Sequence, residues 1–138
     1  MFILDTNVVS ELRKAKSRKA DTRVVTWAAS VSPASLFLSA ITVFELETGV
    51  LQFERRDPKQ GTLLRAWLDN QVLPAFQGRV LPIDEAVARC CARLHVPDPR
   101  AERDAMIAAT ALVHGMTVVT RNVQDFAPTR VPTLNPWL

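Results

Sequence analysis

Acidic side chains with no histidine or cysteine beside them suit hard-cation chemistry, and this sequence delivers them at recurrent places. "MFILDTN" puts Asp5 and Asn7 directly behind an apolar run. "LFLSA" does the same with Ser39, "RVLPID" with Asp84, and "MTVVTRNVQDF" with Arg121, Asn122 and Asp125. Asp104 lies early in the helix-like stretch "DPRAERDAMIAATALVHG". If the apolar runs are parallel strands, residues just behind them face the crevice outside the carboxyl ends of the sheet. Carboxylates gathered there would suit Mg²⁺ or Mn²⁺, which lower the pKa of a bound water and stabilise charge on a reacting phosphate. Each acid also has a plainer use. Asp5 can cap a helix, Asp104 can be a favourable charge in a first helical turn, and Thr6 and Asn7 can be ordinary caps.

The charge distribution points to an anionic partner. Seventeen Lys and Arg against fourteen Asp and Glu give only +3, but Arg13, Lys14, Lys16, Arg18 and Lys19 lie within seven positions. Such a cluster fits a phosphate backbone or an acidic protein, and equally a solvated loop. Phosphodiester hydrolysis unites the acids with the basic surface; the residues alone do not separate it from other metal-assisted phosphoryl chemistry. Cys90 and Cys91 are adjacent, so their side chains diverge and a reducing compartment is expected. No CxxC spacing exists, and His95 and His114 stand alone, which argues against zinc. The N-terminal run lacks a basic flank and is interrupted by Asp5, unlike a signal peptide. No run approaches the roughly 20 apolar residues of a membrane span. A soluble cytoplasmic protein is expected.

The elements that must position these residues alternate. Short strands are predicted at 2–4, "LFLSA", "RVLPID", "MTVVT" and within "VPTLNPWL". Helices are predicted after "LDTN", over "RVVTWAASV", from Ile41 to Arg55 with Ser39 as cap, over about 62–73 ending before Pro74, from Asp84, and from Pro99 to a stop at Gly115. "DPKQG" reads as punctuation, and Gly49 as a point of close packing. Strand–helix alternation over 138 residues predicts one α/β domain, 1–138, with a mostly parallel sheet. In the long central helix, periodicity places Glu47 nearer the apolar direction than Glu45 and so does not choose between them.

"MFILDTNVVSEL", "LSAITVFELETGV", "RDAMIAATALVHGMTVVTRNVQDF" and the terminal "NPWL", in this order, resemble the PIN-domain ribonucleases, specifically VapC-type toxins and within them the FitB-like subgroup. The resemblance runs from residue 1 to 138. It implies a three-layer α/β/α fold around a five-stranded parallel sheet in 3-2-1-4-5 order. It also implies a Mg²⁺- or Mn²⁺-dependent endoribonuclease that uses a metal-bound water and is held inactive by a VapB-type antitoxin. A toxin homodimer, and a larger assembly bound to operator DNA through the antitoxin, are implied partners alongside RNA. Carried over by position, the catalytic and metal-binding acids are Asp5, Glu45 and Asp104. The fourth position falls at Asn122, where an acid is absent; Asp125 is its possible substitute. Asn7 and Ser39 are expected to support the acids, and Arg103 and Arg121 to contact RNA or antitoxin. Glu47 is expected at the rim or in a salt bridge, and Trp27, Trp67 and Phe76 in packing or partner surfaces. The rival reading is a degenerate, non-catalytic domain that acts only within a repressor complex.

Overall fold

Apolar runs without alternation belong to strands covered on both faces. The computed structural model, which describes residues 1–138, bears this out for the three central strands, while the two edge strands are only partly covered. β1 (Phe2–Leu4), β2 (Leu36–Ser39), β3 (Val80–Leu81), β4 (Thr117–Val119) and β5 (Thr133–Leu134) form one sheet in the order β3-β2-β1-β4-β5. Every pairing is parallel, with Phe2 opposite both Leu36 and Thr117. This is the order and layering that the resemblance implied.

Alternation within the central strands divides the core between two helical layers. Leu4, Leu38 and Val119 pack with α1 (Thr6–Arg13), α2 (Thr22–Ser30), α3 (Ala40–Arg56) and α4 (Pro58–Trp67), through Val8, Val24, Leu46 and Leu64 among others. Ile3 and Val118 face the other way, onto Ile107, Ala108 and Ala111 of α7 (Glu102–His114). α6 (Glu85–Leu94) closes that side, with Val87, Cys90 and Cys91 against Ala105 and Ala109. Small alanines let α7 approach on two sides, and Gly115 ends it in the left-handed conformation at φ 66°. Both cysteines are buried and free. No helix is long and apolar enough to cross a membrane.

Four local expectations need correction. "DPKQG" opens a helix: Asp57 caps α4 by accepting from Gln60 N, and Pro58 takes the first turn, where its missing N–H costs nothing. The helix does not end before Pro74 either. It continues through a π-helical turn (Leu68–Val72) into α5 (Leu73–Ala75), and the widened turn accommodates a proline that cannot donate to the preceding ladder. α7 begins at Glu102, after Ala101, so Pro99 lies outside it. The glycine required by packing is also a different one. A Cβ on Gly61 would lie 2.5 Å from Glu54 Cα, where α3 and α4 meet, whereas nothing stands within 4 Å of one on Gly49.

Candidate active site

Asp5 is both a cap and a member of an acidic cluster. Its backbone N–H donates to Val119 O at 2.9 Å, which holds it to the sheet one residue beyond β1. One carboxylate oxygen, Oδ1, accepts from Thr6 N at 2.8 Å and caps α1; the other accepts from Thr120 Oγ1 at 2.8 Å and more distantly from Asn7 Nδ2 at 3.4 Å. The two readings of "LDTN" are therefore compatible, because each uses a different oxygen.

Ser39 ends β2 and starts α3, its Oγ accepting from Ile41 N at 3.1 Å. It supports the site through the helix it starts and makes no hydrogen bond to an acid. In the second turn of α3, Glu45 accepts from Thr6 Oγ1 at 2.7 Å. Thr6 thus joins the helix carrying Glu45 to the residue next to Asp5. Glu47 is turned elsewhere, accepting from Arg65 at 2.6 and 3.0 Å, and Arg65 also pairs with Glu54 at 3.0 Å. The structure separates the two glutamates that periodicity left equivalent: Glu47 fastens α3 to α4, and Glu45 meets the site.

Asp104 stands in the first turn of α7 and is partly buried. Its pKa is raised to about 6, first by burial and then by the charges of Asp5, Asp125 and Glu45. Asp5 is also raised, chiefly by burial, with Glu45 and Asp125 adding to the rise and the bonds from Thr120 and Thr6 opposing it. Asp5 and Asp104 consequently both feel the charges of Glu45 and Asp125. Asp84 is not in this group; it is the exposed cap of α6, accepting from Val87 N at 2.9 Å.

Asp125, in the short helix α8 (Val123–Phe126), is exposed and belongs to the electrostatic cluster, while the buried Phe126 anchors its helix. Asn122 is exposed and contributes its backbone N–H, which donates to Thr120 Oγ1 at 3.0 Å. Its side chain makes no cap bond to α8. Sequence reasoning missed Thr120. This fully buried residue gathers Asp5, Asn7 and Asn122 around one hydroxyl. Its signal was positional, since it follows β4 as Asp5 follows β1, but a threonine after two valines reads simply as strand.

Two arginines stand at the rim. Arg103 Nη1 lies 3.6 Å from Glu45 Oε2, and its guanidinium is 4.9 Å from the Phe44 ring centre. Arg121 lies over Trp137 at 5.3 Å, and its backbone N–H donates to Asn7 Oδ1 at 3.4 Å. Asp5, Asp104 and Asp125 have no ion-pair partner; the chain's other pairs engage Glu11, Asp21, Glu47, Glu54 and Asp69. The donor set is oxygen only and its negative charge is poorly balanced, which fits a hard divalent cation. As the side chains stand, no three of them are gathered tightly enough to hold one ion.

Residues 2–129 match the PIN domain. The chain belongs to the PIN-domain family. It is 40% identical over 143 residues to Toxin FitB of Neisseria gonorrhoeae, covering 99% of each chain. To the VapC ribonuclease Y4jK of Sinorhizobium fredii it is 39% identical over 142 residues, covering 99% of this chain and 98% of that one. A solved structure of FitAB bound to an IR36 DNA fragment superimposes with a TM-score of 0.89 at 38% identity, over 100% of this chain and 96% of that one. In this PIN domain Asp5 lies between β1 and α1, Glu45 on α3 and Asp104 on α7, and the charges of Asp5 and Glu45 both act on Asp104.

Proposed function

We propose that the whole chain is one PIN domain acting as the toxin of a VapBC-type pair: a Mg²⁺- or Mn²⁺-dependent endoribonuclease restrained by its antitoxin. The observation that carries this is the placement of Asp5 directly behind β1, of Glu45 on α3 bonded at 2.7 Å to Thr6, the residue beside Asp5, and of Asp104 on α7 where the charges of both raise its pKa. Support comes from full-length relatives named as a toxin and a ribonuclease.

Asp5, Glu45 and Asp104 would hold the cation, with Asp125 supplying the negative charge that Asn122 lacks. When bound, such an ion supplies an activated water at neutral pH and offsets charge on the reacting phosphate. The chain's own residues do the positioning. Thr120 and Asn7 aim one oxygen of Asp5, and Thr6 sets Glu45 relative to it. Arg103 and Arg121 offer N–H donors to RNA phosphates at the rim. No histidine stands among the acids to act as a general base.

A cavity of about 200 Å³ adjoins Glu45 between α1, α3 and α4, bordered by Thr6, Arg13, Phe53, Leu64 and Trp67. It would seat an apolar segment of the antitoxin, which would bring a basic side chain to the acids in place of the cation. A homodimer, and operator DNA contacted through the antitoxin, complete the proposed assembly; that a similar chain was solved as FitAB bound to a DNA fragment supports a DNA-bound complex.

The test is purified, antitoxin-free protein incubated with total RNA in Mg²⁺, Mn²⁺ or EDTA, followed by mapping of new 5′ ends. Discrete cleavage that needs metal and is lost in Asp5→Asn and Asp104→Asn is expected. Equal cleavage in EDTA would refute the mechanism. Failure to cleave any RNA with metal present would favour the degenerate, binding-only reading.

A further inference from the structure

Phe44 is a large apolar side chain left 51% exposed, immediately before Glu45 on α3. Arg103 immediately precedes Asp104 on α7 and is itself 54% exposed. Its guanidinium centre lies 4.9 Å from the Phe44 ring centre, and one of its nitrogens lies 3.6 Å from Glu45 Oε2. The pair therefore bridges α3 and α7 at the mouth of the acid cluster, with the arginine located by a ring on one side and a carboxylate on another. Single-stranded RNA presents the complementary chemistry. Unpaired bases stack on aromatic rings and guanidinium planes, and phosphates take the N–H groups left free.

We propose that Phe44 and Arg103 form a subsite for one unpaired nucleotide beside the bond that is cut, its base stacked on the Phe44 ring and its phosphate held by the Arg103 guanidinium. This rests on the RNA-cleaving reading above and adds the single-stranded, base-dependent part of substrate recognition. An RNA strand neutralises the arginine and arrives with the cation that neutralises the acids. A second copy of the chain seated on Phe44 would instead desolvate Arg103 and the carboxylates behind it, at a cost. Leu51 distinguishes the two occupants. It is 54% exposed two helical turns along the same side of α3, seven residues from Phe44.

The experiment uses a fluorescein-labelled single-stranded oligoribonucleotide spanning the site that the unmodified chain cuts, and versions made abasic at each position in turn. Binding is read by anisotropy in the cleavage-silent Asp104→Asn background. Phe44→Ala should weaken binding of the intact RNA roughly tenfold. One abasic position next to the cut should weaken it by a similar factor, and the two changes together should cost no more than either alone. Phe44→Trp should retain the base dependence, and Arg103→Ala should weaken binding of intact and abasic RNA alike.

Losses that multiply at every position, or a Phe44→Ala protein that binds as tightly as its parent, would overturn the subsite. So would sedimentation showing that Phe44→Ala and Leu51→Ala dissociate a dimer equally and lower RNA affinity equally, because a second copy would then cover this face. If the unmodified chain cuts no RNA, the underlying reading fails with the subsite. If it cuts RNA but the base dependence is absent, only the subsite fails.

Discussion

Thr120 and Asp5 are separated by 115 residues in sequence and joined by a 2.8 Å hydrogen bond in which the threonine hydroxyl donates. The bond ties the ends of β1 and β4 together at the site and opposes the rise that burial imposes on the Asp5 pKa. Thr120→Val keeps the shape and removes the donor. It also leaves the Asn122 N–H without its acceptor. Outer hydrogen bonds to a ligand of this kind are worth about 10–100-fold in metal affinity or activity. Thr120→Val is expected to lower metal affinity by about tenfold and RNA cleavage with it, whereas Thr120→Ser stays near the parent. Metal titration followed by calorimetry, alongside cleavage rates, checks both.

Asp104 makes the metal-free protein less stable as pH rises. Its pKa lies at about 6 in the folded chain against 3.8 as the ordinary value, so between these values the native state binds more protons than the unfolded state. The contribution is fully present below pH about 4 and lost as pH climbs through about 6; Asp5 is raised in the same sense. With solvent screening at this partly exposed site, Asp104→Asn should stabilise the metal-free protein by about 1 kcal/mol at pH 7.5 and by little at pH 4. Thermal unfolding in EDTA across pH 4–8 measures it, and a constant difference between the two proteins would contradict the assignment. Mg²⁺ should raise the melting temperature more at pH 8 than at pH 5, where protonated Asp104 is a poor ligand. Cleavage should fall below pH about 6 for the same reason.

Glu45 and Glu47 should part cleanly on mutation. Glu45→Gln is expected to reduce cleavage by at least a hundredfold with little loss of stability, since the amide oxygen can still accept from Thr6. Glu47→Gln breaks the paired contact with Arg65. Arg65 retains Glu54, and Glu47 is 42% exposed, so the cost should stay below about 1 kcal/mol and activity should persist. Denaturant melts and cleavage assays on the two variants decide the point, and the reverse pattern would exchange their roles.

The sheet was legible because most strands are short apolar runs closed by a polar residue, and strand–helix alternation leaves few ways to connect such runs. Asp5 and Asp125 were visible by position behind those runs, Asp104 by its place early in a helix, and Asp84, placed by the same rule, proved to be only a helix cap. Glu45 was not visible by position, because helical periodicity describes burial, and the partner that draws Glu47 aside is Arg65, eighteen residues further on. The start of α4 was obscured because Asp-Pro is a turn signal and a helix-opening signal alike. Pro74 misled in the opposite direction, since a π-helical turn removes the clash that ordinarily stops a helix. Thr120 was missed because its function depends on a hydroxyl turned toward a residue at the other end of the chain.

The fourth corner of the site provides the sharpest division between position and charge. Asn122 occupies the place where the family pattern has an acid in some members, yet its recorded bond to the site's network is through the backbone, from its N–H to Thr120. Asp125, three residues on, is the residue whose charge reaches Asp5 and Asp104. Asn122→Ala preserves that backbone donor and should retain cleavage within about threefold. Asp125→Asn removes a negative charge from the cluster, so the pKa of Asp104 should fall and divalent affinity should drop, by about tenfold for a pair interaction of roughly 1.4 kcal/mol at a surface site. Metal titration and the pH profile of cleavage test this together. A weaker metal with an acid limb shifted downward is expected for Asp125→Asn, and an unshifted limb would place Asp125 outside the working site.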